Sequence, residues 1–218
     1  MSNYTPPPDS GLEIIHADEA LLVLNKPSGL LSVPGRGPDK QDCLAARVQA
    51  RFTDALVVHR LDMETSGLMV MARGKEMQRA LGMLFERRQV TKHYLAVVDG
   101  LVESAQGEIT LPMITDWPNR PRQKIDHEHG KAAHTRYRVV ERDYAHKTTR
   151  VELTPITGRS HQLRLHMRAL GHAILGDLLY ADEFVQRKSD RLLLHACHIS
   201  FIHPATRQLV PFSSLPPF

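Results

Sequence analysis

The run HRLDMETSGL, residues 59–68, constrains this chain more than any other stretch. Arg60 and Asp62 stand two residues apart, and a small-residue turn, Thr65-Ser66-Gly67, then feeds the apolar run Leu68–Ala72. An apolar run without polar alternation suits a strand buried on both faces, which needs layers of structure around it. A charged pair just ahead of such a strand lies on a loop held by a rigid scaffold, a common location for chemistry. Asp62 is therefore the first candidate for a catalytic group. Alone, an Arg-Leu-Asp triplet is more often a structural ion pair, so its weight depends on what accompanies it.

Around this run the chain reads as short strands with a few helices. Leu12–Ile15 and Leu21–Asn25 predict strands joined by a polar turn at residues 16–19. Residues 25–40, NKPSGLLSVPGRGPDK, are rich in Pro and Gly and predict a loop bordering a cleft. Leu44, Val48 and Phe52 recur at helical spacing, with Asp42 as N-cap. Lys75–Arg88 carries Met77, Leu81, Leu84 and Phe85 on one stripe and predicts a second helix. Further strands are expected at Lys92–Asp99, Ala133–Glu141, Arg150–Thr154, Leu192–Ile202 and Gln208–Phe212. The DWPNRPRQK segment, residues 116–124, is expected to be irregular. A third helix is expected from a Ser160 cap to Leu170, ended by Gly171. Strands joined by hairpins and irregular loops favour an α+β mixed sheet over a doubly wound parallel one.

A 218-residue chain can bury a sizeable core, and a net charge of +4 permits a polyanionic partner without requiring one. Cys43 and Cys197 form no CxxC pair and read as reduced thiols, which fits a cytoplasmic protein. The N-terminus, MSNYTPPPDSG, has no apolar core of a signal peptide and is expected to be an extended arm over residues 1–11. Residues 12–218 show no linker and no repeat, so a single domain is expected.

Two more dense segments accompany the first. In PITGRSHQLRLH, residues 155–166, Gly158 permits a turn, Leu163, Met167 and Leu170 form an apolar stripe, and His161, Arg164 and Arg168 lie on another side. That segment is expected to pack by one face, to present cations by the other and to offer its N-terminus to phosphate. In Lys92-His93-Tyr94-Leu95, strand alternation places Tyr94, Ala96 and Val98 on one face. A solvated basic helix and a half-buried strand tyrosine are the better readings of each segment taken singly. A carboxylate, two guanidiniums and an aromatic, each in its own dense motif, are hard to explain as coincidence.

At this point the chain resembles the RluA-type RNA pseudouridine synthases, in the short form without an added S4-type RNA-binding domain. The resemblance rests on NKPSGLLSVPG (25–35), HRLDMETSGL (59–68), the K-x-Y of Lys92 and Tyr94, and DWPNRPRQK (116–124). It continues through PITGRSHQLRLHM (155–167), GHAILGD (171–177) and RLLLHA (191–196), and so spans nearly the whole chain in one order. Two segments depart from the family pattern. Ala132 stands where a proline is common, and Arg73-Gly74-Lys75 replaces the usual exit from the motif strand.

The resemblance implies the pseudouridine synthase fold, a mixed and largely antiparallel sheet with flanking helices and loops around a central RNA-binding catalytic cleft. It implies isomerisation of uridine to its C5-glycoside in structured RNA, without metal or organic cofactor. The RNA would be a tRNA anticodon stem-loop, a large-subunit rRNA hairpin, or both. Asp62 is then the catalytic carboxylate, Arg164 its ion-pair partner, and Tyr94 the aromatic beside the target base. Arg60 helps to extrude that base. A nearby guanidinium favours the ionised form of a carboxylate, which suits both nucleophilic attack on the sugar and proton abstraction from it. Wider RNA contacts are expected from Lys26, Arg36, Arg120, Arg122, Lys124, Arg159 and His161. No obligate protein partner is expected, and a monomer is the simplest state. A non-catalytic RNA binder would have no need of a carboxylate facing a polyanion. A metal-dependent hydrolase, suggested by thirteen histidines including His127, His129, His161 and His166, lacks HExxH or Cys/His zinc spacing.

Overall fold

The computed structural model describes residues 4–218, whose contacts divide into two compact units. Unit one runs to Lys92 and returns for His195–Pro217, while unit two comprises His93–Leu194 and Phe218. One crossing falls inside a strand and the other just after a strand's first residue. No Gly-, Pro- or Ser-rich segment marks either crossing, which is why residues 12–218 read as one domain.

Unit one begins with β1 (Ile14–Ala17), β2 (Leu21–Lys26), α1 (Leu44–Arg51), β3 (Ala55–Val57), β4 (Ser66–Arg73) and α2 (Gly74–Glu86). The chain then enters β5 (Thr91–Asp99) and unit two, with β6 (Gln106–Ile109), β7 (Met113–Thr115), β8 (Gln123–Ile125), β9 (Thr135–Asp143), β10 (Thr148–Pro155), α3 (Gln162–Ala169) and α4 (Glu183–Gln186). It returns to unit one through β11 (Leu194–Ile202) and β12 (Leu209–Ser213). Strands dominate and helices are few, as an α+β reading requires.

In unit one the strand order is β1-β2-β4-β11, with β3 also on β4 and β12 on β11. The pair β4–β11 is parallel and the others are antiparallel, so the sheet is mixed. Ser66 through Ala72 of β4 are all buried, as expected of its apolar run. Leu81 of α2, with Met77, Leu84 and Phe85 beside it, packs on Leu68, Val70 and Phe201. The N-cap of α1 is Cys43, whose Sγ accepts from Ala46 N at 3.4 Å. Asp42 does not cap, because its carboxylate is drawn to the Arg47 guanidinium at 2.7 and 2.8 Å. Residues 1–3 of the expected arm lie outside the described residues. The remainder is pinned: Tyr4 donates to Asp42 O, and Arg47 donates to Pro7 O.

Unit two orders its antiparallel strands β5-β10-β9-β6, with β7–β8 as a separate hairpin. Residues 116–124 were expected to be irregular, and of these Gln123 and Lys124 instead belong to β8 of that hairpin. Its three-residue strands are too short to carry a periodic signal. Ala96 and Val98 enter a core with Val151, Leu153, Leu163, Met167 and Ile174, and Tyr94 packs against its edge. A smaller core joins Leu165 to Met113 and Ala133. The eight-residue α3 is therefore covered on two faces and is buried from Gln162 to Met167.

Candidate active site

Asp62 sits on the loop between β3 and β4, half-buried, with exposed Arg60 two residues before it. The backbone on each side is gripped by the NKPSG loop and its neighbours. On one side, Ser32 Oγ donates to Leu61 O at 2.7 Å and accepts from Leu61 N at 3.1 Å. On the other, Met63 O accepts from Lys26 Nζ at 2.9 Å and from Gly29 N at 3.0 Å, and Ser28 Oγ donates to Glu64 O at 2.7 Å. Buried hydrogen bonds of this kind fix a loop because breaking any one strands a polar group. The two motifs, 25–35 and 59–68, thus form one rigid piece that holds Asp62.

Lys26 was expected to face RNA and is instead interior, 1% exposed, with its ammonium donating to the carbonyls of Pro27, Leu30 and Met63. Its burial could not be read from sequence, since lysine is almost never fully buried unless paired. His59 is a second hidden fixture. Its Nε2 accepts from Val70 N at 2.9 Å, and its ring stacks on Phe85 at 4.4 Å. Burial, reinforced by the nearby Lys92 ammonium, pushes its pKa down to about 3, so the ring is neutral and serves as an acceptor. Lys92 itself is pushed down by burial.

The turn after Asp62 is locked to β11. Ser66 Oγ and His195 Nδ1 lie 2.9 Å apart, and His195 Nε2 reaches Ser214 Oγ at 3.1 Å. Gly67 has φ 111°, and a Cβ there would lie 2.4 Å from Ala196 O and 2.5 Å from Ala196 N. Only glycine allows β4 and β11 to approach in the parallel register Ser66↔His195, Gly67↔Ala196.

Tyr94 and Arg164 belong to unit two. Tyr94 lies opposite Leu153 of β10, half-buried at the edge of the core, while His93 on the other face meets Thr154 Oγ1 at 3.0 Å. Arg164 is 3% exposed and does not lie on a solvated cationic face. Its Nε and Nη2 donate to Asp177 Oδ2 and Oδ1 at 2.8 and 2.5 Å, a bidentate and buried pair. Asp177, in the GHAILGD motif, also accepts from Leu179 N and Tyr180 N. The sequence reading gave Asp177 no role. A buried arginine calls for a carboxylate, but the burial of Arg164 comes from the fold and not from the sequence, so no sequence signal pointed to Asp177.

The loop before α3 closes on Gln162 rather than on a Ser160 cap. Gln162 Oε1 accepts from Thr157 Oγ1 and Arg159 N, and its Nε2 donates to His134 O and Thr135 Oγ1. His161 takes the N-cap position in a left-handed conformation, φ 56°, with Nδ1 2.8 Å from Tyr180 Oη. His166 is buried against Thr135 Oγ1 and Leu111 O, and burial lowers its pKa. His127 and His129 lie exposed in the turn around Asp126. Among the described residues no three His, Cys, Asp or Glu side chains are grouped to hold a metal ion, and no helix is long and apolar enough to cross a membrane.

The other RNA candidates are at the surface. Arg36, Arg120, Arg122, Lys124 and Arg159 are all exposed. The guanidinium of Arg120 lies 3.2 Å from the Trp117 ring centroid, Lys124 faces Asp126 at 3.7 Å, and Arg159 donates to Ala132 O.

Residues 20–169 match the family model described as RNA pseudouridylate synthase. The chain is 53% identical over 218 residues, 100% of its own length and 99% of the relative's, to the dual-specificity RNA pseudouridine synthase RluA of Pasteurella multocida. With the protein of the same name from Escherichia coli K12 it shares 49% over 214 residues, 98% of this chain and 97% of that one. Among solved structures, human RNA pseudouridylate synthase domain containing 1 superposes with a TM-score of 0.81 at 30% identity, covering 98% of this chain and 87% of that one. Human RNA pseudouridylate synthase domain containing 4 gives 0.74 at 27% identity, covering 94% and 88%.

Proposed function

The chain belongs to the RNA pseudouridylate synthase family, and from that premise we propose that it isomerises uridine in both a tRNA anticodon stem-loop and a large-subunit rRNA hairpin, with Asp62 as the catalytic carboxylate. The observation that carries the role of Asp62 is the grip on its flanking peptide groups by Ser32, Lys26 and Gly29. A carboxylate on so constrained a loop is positioned before substrate arrives, which removes the entropic cost of placing it during the reaction.

In the reaction the N1–C1′ bond breaks, the uracil turns, a C5–C1′ bond forms, the C5 proton leaves and N1 takes up a proton, with no net oxidation or reduction. Attack of Asp62 at C1′ and removal of a sugar proton by Asp62 both start from the ionised carboxylate. Arg164, held by Asp177, has the role of the fixed positive charge, and Tyr94 that of an aromatic wall for the detached uracil. Water must be kept from the cleaved sugar, since its attack would leave an abasic site. Extruding the base costs a few kcal/mol, which exposed Arg60 offsets by filling its place. Arg36, Arg120, Arg122, Lys124 and Arg159 contact phosphates. Lys26 is left out of that set because its ammonium is committed to three carbonyls.

Mapping pseudouridine in total RNA from cells with and without the protein tests this reading. Loss of one site in a tRNA anticodon stem-loop and one in large-subunit rRNA is expected. An unchanged map overturns the activity, and loss confined to one RNA class overturns the dual specificity.

A further inference from the structure

The hairpin β7–β8 carries an aromatic that no core absorbs. Trp117, the one tryptophan of the chain, is 68% exposed just beyond the point where Asp116 N meets Arg122 O. Arg120 lies over its ring at 3.2 Å, so the indole is held by a guanidinium and still presents open surface. Tryptophan is usually well buried, and an exposed one on a cationic loop is the arrangement that stacks nucleic acid bases.

The base of the same hairpin borders an open groove of about 460 Å³, within the range that takes a small ligand. Arg122, Lys124 and Arg168 line it over a floor of Ile125, Leu165 and Tyr180. Asp182 also lines it, but its Oδ1 accepts from Val185 N as the cap of α4. Three cations against one engaged carboxylate favour an anion there, even with Lys124 partly drawn to Asp126 at 3.7 Å. Tyr180 ties the groove to α3: its Oη accepts from Gln123 N of β8 at 2.8 Å and meets His161 Nδ1, while the Arg164 guanidinium lies 5.3 Å from its ring.

We propose that this hairpin and groove form a nucleotide subsite within unit two, in which Trp117 stacks on an unpaired RNA base and Arg122, Lys124 and Arg168 hold the adjoining phosphates. The subsite rests on the reading of the chain as an RNA-modifying enzyme and adds to it a preference for unpaired, loop-borne nucleotides. Stacking on an aromatic face tolerates any base, so one such site serves two different RNAs, whereas hydrogen-bond readout of base edges would tie it to one sequence.

The single tryptophan makes the test direct. The whole protein is titrated with an RNA stem-loop bearing an unpaired loop and with a blunt duplex of the same length, while indole emission and filter binding are followed together. Saturable quenching at the binding midpoint is expected with the stem-loop and not with the duplex. Trp117→Ala should weaken stem-loop binding by about 10- to 100-fold, with Trp117→Tyr restoring most of it. Arg122→Gln, Lys124→Gln and Arg168→Gln should each flatten the dependence of log Kd on log salt by about 0.7–0.9. Unchanged emission with RNA bound, or equal quenching by the duplex, overturns the stacking. Unchanged salt slopes in all three variants overturn the groove. Quenching without turnover would sink the isomerase reading alone, and turnover without quenching would sink this subsite alone.

Discussion

Lys26, Gly67 and His59 show how much of the site's rigidity rests on side chains that do no chemistry. Lys26→Met keeps the stem and removes the ammonium, leaving three carbonyls short of a donor. We expect a loss of about 2–4 kcal/mol in urea denaturation, and no change in the salt dependence of RNA binding. A marked change in salt slope with unaltered stability would return Lys26 to the RNA surface. Gly67→Ala adds a methyl group against the Ala196 backbone at a left-handed φ, and about 2–3 kcal/mol of destabilisation is expected in the same assay. His59 makes stability depend on pH. Its folded pKa of about 3 lies below the usual 6.5, so between those values the unfolded chain holds the extra proton. This contribution is fully present above pH 6.5 and is lost as pH falls toward 3. His59→Gln, which keeps an acceptor for Val70 N, should flatten that part of the urea midpoint against pH. An unaltered profile would show that His59 is not neutral in the fold.

At the scale of elements, α3 was read correctly in place and wrongly in environment. Of its apolar stripe, legible from spacing, Leu163 and Met167 enter the core, while Leu170 is 37% exposed. The neighbouring cations read as solvated because sequence did not reveal that a second small core, around Leu165, Met113 and Ala133, closes over the helix. The two strands of β7–β8 that build this cover are too short to detect by periodicity. Burial turns Arg164 from a surface charge into half of an ion pair with Asp177. Asp177→Ala takes the bidentate carboxylate away from a buried guanidinium, and about 3–5 kcal/mol of destabilisation is expected by denaturation. A change under 1 kcal/mol would mean that the pair is not what holds Arg164. The eight expected strands fall within about two residues of the observed ones, helped by the strong apolar or alternating patterns of β2, β4, β5 and β10, whereas β3 and β6, like β7 and β8, had no expected counterpart. The caps were not. Asp42 and Ser160 are good capping residues by type, but an arginine five residues on claims Asp42, and Gln162 closes the loop that Ser160 was expected to start.

For the molecule as a whole, the motifs were easier to read than the units that carry them. HRLDMETSGL lies in unit one and TGRSHQLRLH in unit two, and the chain passes between the units within strands, where sequence leaves no punctuation. What the sequence could not show is that NKPSG and HRLD are a single clamp, because that depends on side-chain-to-carbonyl bonds across some thirty residues. On the proposed function, this clamp presents Asp62 for bond exchange. Release of tritium from RNA containing 5-tritiated uridine reads that exchange, because the C5 hydrogen leaves only when the new glycosidic bond forms. With Asp62→Asn, tritium release is predicted to fall to background while the RNA remains bound with the wild-type Kd. Wild-type tritium release from that variant would remove Asp62 from the chemistry.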